Sequence, residues 1–214
     1  MKGKLAMAKR SVLNPVLLGL GMLFLLSGWP TDLRAQMEKH IKKGDAFPEV
    51  ALKTPAQAND RTYLGISGDH PFKIKDLKAE VILVEIFDVY CLPCQKQAPL
   101  YKQLFGQIQS NPAAKDRIKM IGIAVGNDEA EIKKFRDHFQ VPYPIVSDPK
   151  YLLHEAVGGP PAPFSVIVRK EPGGKSALVA DTHLGFNNDM PGLFKQLQSL
   201  VRSVPPGPSP QPKK

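Results

Sequence analysis

The chain has 214 residues, of which 43% are hydrophobic and 23% charged, enough apolar material for one domain with a full core and too much for a disordered chain. Lysine and arginine number 29 against 20 acidic residues, yet no basic run is interleaved with aromatics, so the charge gives no footprint for nucleic acid. The two cysteines cannot staple a disulfide scaffold.

Residues 1–35 read as a secretory leader. Lys2, Lys4, Lys9 and Arg10 form a basic start, Pro15 to Leu26 is an apolar run of 12 residues, and Leu33-Arg34-Ala35 offers a cleavage site. An uncleaved anchor is the alternative, since Val12 to Leu26 spans a thin bilayer if tilted. The leader has no cysteine to carry a lipid. It holds five basic residues and one acid, so the remaining chain keeps a milder excess of 24 over 19. Residues 36–43 form a polar spacer, and the folded domain is expected over 44–203.

The domain opens with Gly44-Asp45-Ala46-Phe47-Pro48. Weak alternation around Val50 to Leu52, Arg61 to Ile66 and Phe72 to Ile74 predicts an N-terminal β-hairpin ahead of the main sheet. Val81 to Phe87 is a short, β-branched apolar run and predicts a buried strand. Cys91-Leu92-Pro93-Cys94 follows, then Ala98, Tyr101, Phe105 and Ile108 at helical steps. Ile118 to Val125 predicts a second buried strand. Asn127 or Asp128 caps a helix that buries Ile132, Phe135 and Phe139. A short strand around Ile145 and a short helix within 149–157 come next. Gly158 to Pro163 is a dense breaker, Phe164 to Arg169 a strand, and Ser176 to Thr182 its hairpin partner. A last helix starts near Asn188 or Asp189 and buries Leu193, Leu197 and Val201. Residues 204–214 form a proline-rich tail with no face to pack. Helices alternating with buried strands, closed by an antiparallel hairpin, predict an α/β three-layer sandwich with a mixed sheet.

The chemistry concentrates at Cys91 and Cys94. A C-x-x-C between a strand and a helix places sulfur at a helix N-terminus, where unpaired N–H groups and the dipole favour a thiolate. Cys91, in the turn, is the expected nucleophile, and Cys94 lies one helical turn on, within reach to resolve a mixed disulfide. A zinc site needs four ligands; there is no second cysteine pair, and the five histidines show no ligand spacing. A disulfide closing so small a loop adds little stability through chain entropy. Pro93 removes one backbone donor and stiffens the turn. Glu85 lies inside the apolar strand, where a carboxyl is costly unless paired or protonated.

These residues resemble the thioredoxin fold, and within it the TlpA/ResA-like redoxin branch of exported thiol-disulfide oxidoreductases, over roughly Gly44 to Val201. Cys91-Leu92-Pro93-Cys94 matches that branch's C-x-P-C centre, and Pro99 its helix-kinking proline. Gly159-Pro160-Pro161 stands where the family carries a cis-proline, and Glu85 where it carries a buried acid. The resemblance implies that Glu85 exchanges the Cys94 proton and that Pro161, beside Pro160, presents a backbone edge to substrate. It implies that Tyr90, in place of the family's tryptophan, shields the site. It further implies a monomeric reductase of protein disulfides, without cofactor, fed by a membrane-bound electron donor. Departures are Tyr90, Asp88, and Gln97 where ResA-like proteins carry glutamate. The peroxiredoxin branch requires Thr or Ser three residues before its cysteine and Pro four before that; Cys91 has Asp88 and Val84 there, Cys94 has Cys91 and Phe87. A copper carrier using His183 with both cysteines is the rival reading on this fold.

Overall fold

In the computed structural model the described residues are 40–171 and 176–201; the expected leader, the turn at 172–175 and the proline-rich tail lie outside them. The element order is α1 (Ala58–Leu64), a single 3-10 turn (Ile74–Asp76), β1 (Val81–Phe87), α2 (Leu92–Ser110), β2 (Ile118–Val125) and α3 (Glu129–Phe139). It continues with β3 (Ile145–Asp148), α4 (Leu152–Ala156), β4 (Phe164–Lys170), β5 (Ala177–Leu184) and α5 (Met190–Leu200). Five strands form one mixed sheet in the order β3-β2-β1-β4-β5. β1 runs parallel to β2 and antiparallel to β4. β2 pairs parallel with β3, and β4 antiparallel with β5.

β1 is central, and all seven of its residues are buried. A strand covered on both faces reads as a continuous apolar run, because alternate side chains enter opposite layers. Val81, Leu83 and Phe87 join the layer that holds Tyr101 and Leu104 of α2, Phe135 of α3 and Leu197 of α5. Ile82, Val84 and Ile86 join the opposite layer, with Leu64 of α1 and Leu153 of α4. Glu85 therefore belongs by parity to the α2 side.

The caps explain where the helices begin. Asp128, not Asn127, caps α3: its carboxylate accepts the N–H groups of Ala130 and Glu131, and Glu131 reaches back to the Asp128 N–H. Asp189 caps α5 through the Gly192 N–H. Pro99 sits inside α2, where its ring removes one helical hydrogen bond.

The N-terminal region corrects the expected hairpin. Leu52 and Phe72 meet in one isolated antiparallel bridge, and the chain between them forms α1 rather than a strand. Gly65 stops that helix in the left-handed conformation, at φ 71°, and its missing Cβ makes room for the Lys78 side chain. The weak alternation through Arg61 to Ile66 was one helical face seen in part. His40 and Ile41, within the spacer, already bond to the domain: the Ile41 N–H donates to Val157 at 2.9 Å, and His40 Nδ1 lies 3.0 Å from the Gly158 carbonyl.

α1 is pinned by a pair distant in sequence. Arg136 of α3 donates from Nη1 and Nη2 to the two carboxylate oxygens of Asp60, at 2.6 and 3.1 Å, with both side chains largely out of water. Removing one partner strands the other's charge. Asp60→Ala should therefore lower the unfolding free energy in a urea titration by about 2–4 kcal/mol, with much of the loss recovered in the double variant Asp60→Ala/Arg136→Met.

Candidate active site

β1 ends at Phe87, and four residues later the chain enters α2, so the turn is set by the strand below it. Three contacts from outside hold this turn. Buried Asn127 accepts the Val89 N–H at 3.1 Å and donates to Asp88 Oδ1 at 3.1 Å. Asp88 Oδ1 also accepts the Tyr90 N–H at 3.0 Å, and its carbonyl accepts the Cys91 N–H at 3.1 Å. Gln95 donates to the Val89 carbonyl at 2.9 Å. Asp88 is thus spent on the turn's backbone.

Cys91 is the N-cap of α2, in extended conformation, and is part-exposed. Its sulfur accepts the Cys94 N–H at 3.4 Å, with Pro93 just before as a residue that has no N–H to offer. The Cys91 thiol points its other way to the Ala162 carbonyl, at 3.5 Å. Both cysteines are free thiols. Cys94 is fully buried beneath Cys91. Burial pushes its thiol well above the ordinary range, helped by the hydrogen bond and charge of Cys91 and by the charge of Glu85. One sulfur faces solvent at the positive end of a helix; the other is buried and protonated behind it.

Glu85 is buried where the sequence placed it, facing the α2 layer. Tyr143 donates its hydroxyl to Glu85 Oε2 at 2.8 Å. Burial pushes the carboxyl up to about 8, with the Tyr143 hydrogen bond acting in the opposite direction. Gly122 is the cross-strand partner of Glu85. A Cβ there would stand 3.0 Å from the Phe87 ring and 3.1 Å from the Ile145 side chain, so the glycine lets those two side chains pack closely beside Glu85, with the Tyr143 ring in ordinary contact at 3.6 Å. On the other side of Glu85, Ser165 is its partner in β4, and the Ser165 hydroxyl lies 2.6 Å from the Tyr101 hydroxyl.

The breaker loop corrects the proline assignment. The cis peptide bond is Ala162-Pro163, not the one before Pro161. Pro163 is buried directly ahead of β4, whereas Pro161 is exposed. Pro160 is buried, and its carbonyl lies 2.9 Å from His154 Nε2. The backbone edge beside Cys91 is therefore that of Ala162 and Pro163. With three prolines and one alanine within residues 160–163, position relative to the strand is the only local guide, and the proline immediately before β4 is the one that carries the cis bond.

Tyr90 does not cover the cysteines as a lid. It is 67% exposed, and its hydroxyl donates to Glu131 Oε1 at 2.7 Å. Gln97 is buried and makes a two-point contact with the backbone of Asn187, donating to its carbonyl at 3.0 Å and accepting its N–H at 2.7 Å. An ionised glutamate cannot make the first of these bonds. His183 is exposed, with Nε2 3.4 Å from the Phe186 carbonyl. Among the described residues, no three His, Cys, Asp or Glu side chains are gathered as a metal ion would require. Sequence reasoning missed Tyr143 and the role of Asn127, whose only signals were an aromatic between two prolines and an amide beside a capping aspartate.

Curated relatives include the thiol-disulfide oxidoreductase ResA of Halalkalibacterium halodurans, 20% identical over 98 residues that cover 46% of this chain and 53% of that one. The chain thus spans about half the length of that relative. The thioredoxin-like protein YneN of Bacillus subtilis is 23% identical over 60% of this chain and 68% of its own. Among solved structures, a thiol:disulfide interchange protein from Bacteroides sp. superposes with a TM-score of 0.56 at 15% identity, over 79% of this chain and 96% of that one, which shows a shared fold. Among the described residues no helix is long and apolar enough to cross a membrane. Residues 44–172, more than half of the chain, match the AhpC/TSA family, and the protein belongs to that family.

Proposed function

We propose that this protein is an exported thiol-disulfide oxidoreductase that reduces protein disulfides through Cys91 and Cys94. The observation that carries the reading is the asymmetry of the pair: Cys91 caps a helix and is reachable, while Cys94 is buried behind it with a thiol that resists ionisation. Cys91 thiolate attacks one sulfur of a substrate disulfide. That S–S bond breaks, the first substrate sulfur leaves as a thiolate and takes a proton from water, and a mixed disulfide joins Cys91 to the second. Glu85 carboxylate then takes the Cys94 proton, Cys94 attacks the Cys91 sulfur, and the second substrate thiolate departs. The substrate gains two electrons and the protein is left as the Cys91–Cys94 disulfide. A dithiol donor, which we place at the membrane, restores it.

Four exposed apolar side chains support a polypeptide substrate. Tyr90 and Leu92 flank Cys91 in sequence, and Leu184 and Phe186 bracket Gly185, whose N–H donates to the Pro163 carbonyl at 2.8 Å. Exposed apolar groups gathered about a reactive atom mark an interaction surface. The exported location is supported by the leader composition and by the spending of both cysteines on chemistry rather than on staples. The copper-carrier reading requires a third ligand, and among the described residues His183 is not gathered with the cysteines.

Cys94→Ser should leave Cys91 able to attack and unable to be released. Protein purified from its own compartment should carry disulfide-linked partners on Cys91, seen by non-reducing electrophoresis and mass spectrometry; a clean monomer with Cys91 intact would count against the reading.

Glu85→Gln removes the acid and keeps its shape. Because Glu85 titrates near 8, it is mostly neutral below pH 7 and gains its basic role as pH rises. Turnover of the native protein should climb through pH 7–9, and the variant should lose that limb, with a deficit on the order of tenfold near pH 8 and a smaller one at pH 6. Stability moves the other way. A carboxyl held above its unfolded value binds its proton longer in the native state, so its contribution is complete below about pH 4.5 and is lost as pH rises through about 8. The native melting temperature should fall between pH 5 and 8.5, by on the order of 5 °C, and Glu85→Gln should remove most of that fall.

A further inference from the structure

Beside the turn that carries Cys91 lies a cleft of about 370 Å³ between the residues that precede Cys91 and the flank of α3 that carries Glu131, Phe135 and Phe139. We infer that this cleft is a subsite for a bulky aromatic side chain next to the reacting cysteine of a substrate polypeptide; the inference deepens the oxidoreductase reading and rests on it.

The floor is apolar and ring-rich. Val89 and Phe135 are buried, and Phe139 is half-buried. Phe135 packs on Phe87 at 5.1 Å between ring centroids and on Phe139 at 4.8 Å, both tilted, so the floor offers ring faces and edges at fixed angles. An aromatic guest meets such a floor in the offset and edge-on geometries that rings prefer. Lys134, exposed on α3, supplies a cation at the outer rim, which also favours a ring over an aliphatic chain.

The wall is Tyr90. An exposed tyrosine ordinarily samples several rotamers, but this one is tied through its hydroxyl to Glu131. Glu131 is itself held, its other oxygen accepting the Asp128 N–H at 2.8 Å. The Val89 N–H is fixed by Asn127. A wall and floor immobilised before binding lose little entropy when filled.

Position selects the guest. Val89 and Tyr90 line the cleft and immediately precede Cys91. An extended chain advances about 3.3 Å per residue, so a side chain one or two positions from the substrate cysteine reaches the cleft while its sulfur meets Cys91. A small polar disulfide such as oxidised glutathione leaves the cleft empty. Exposed Leu92 follows Cys91 directly, and exposed Leu184 and Phe186 flank Gly185, which bonds the same loop that meets the Cys91 sulfur through Ala162; all three suit the same flexible, apolar segment.

The test uses reduced full-length protein and octapeptides whose single cysteine carries a thionitrobenzoate leaving group. One series places Phe at the positions one or two residues before or after the cysteine, with Ala elsewhere; the reference has Ala throughout. At least one Phe peptide should release the chromophore about tenfold faster than the reference, and faster than oxidised glutathione is reduced. That ratio should fall towards one in Tyr90→Ala and in Phe139→Ala; Tyr90 is exposed, so its truncation leaves the core intact. Equal rates for every Phe peptide and the reference would overturn the subsite alone, as would a ratio untouched by both variants. Release from no peptide would overturn the dithiol reading and the subsite with it. A second measurement needs no chemistry: in Cys91→Ser protein, the preferred Phe peptide with its thiol blocked should shift the ring NMR signals of Tyr90 and Phe139, and unmoved signals would overturn the subsite.

Discussion

The structure depends on one constraint, the burial of β1 on both faces. A strand with no face to water cannot slip by a residue without exchanging the contents of two layers, so its register is strongly specified. That register decides what stands at its end. Phe87 closes the strand, the turn must start there, and Cys91 arrives at the mouth of α2. The same parity directs Glu85 into the layer that holds Cys94 and Tyr101, not into the layer of Leu64 and Leu153. A single apolar run thereby sets the position of Cys91 and of Glu85 beneath it.

Around that frame the site is assembled by polar contacts between segments far apart in the chain. Asn127 ties the turn to the start of α3, Gln97 ties α2 to the loop after β5, and the Pro163 carbonyl ties that loop to the entrance of β4. Each satisfies a backbone group that would otherwise be buried without a partner, and each brings a different loop to the edge of Cys91. The exposed apolar side chains Tyr90 and Phe186 are carried on the segments that these contacts hold, while Leu92 opens α2 and Leu184 ends β5.

The two thiols show how one helix produces two chemistries. The Cys94 N–H that bonds the Cys91 sulfur belongs to the same residue whose own sulfur is buried, so one residue holds the outer sulfur and places the inner one behind it. The inner thiol then has a carboxyl as its neighbour, and burial holds that carboxyl neutral over most of the physiological range. Burial opposes a charge on either group, and the charge of Glu85 adds to the resistance of Cys94 to ionisation.

Much of this was legible in the sequence. The strands Val81–Phe87 and Ile118–Val125, the helix after Cys91, the caps near 128 and 189 and the cysteine pair follow from periodicity and turn chemistry, which act over a few residues. Glu85 stood out because a carboxyl in an apolar run is a local conflict. Other features were not available locally. α1 was misread because its alternation is short and its decisive contact, Asp60 with Arg136, lies in another element. Three peptide bonds in the breaker loop were chemically similar candidates for the cis bond, and only the docking of β4 beside Cys91 distinguishes Pro163. Tyr143 meets Glu85 from a segment 58 residues away in the chain, and Tyr90 becomes a wall because Glu131 comes to meet it. Local physics by itself determined the elements from β1 onwards and the cysteine pair at the mouth of α2; tertiary structure decided α1 and the partners of each polar group, because those partners are chosen by packing across the sheet rather than by neighbours in the chain.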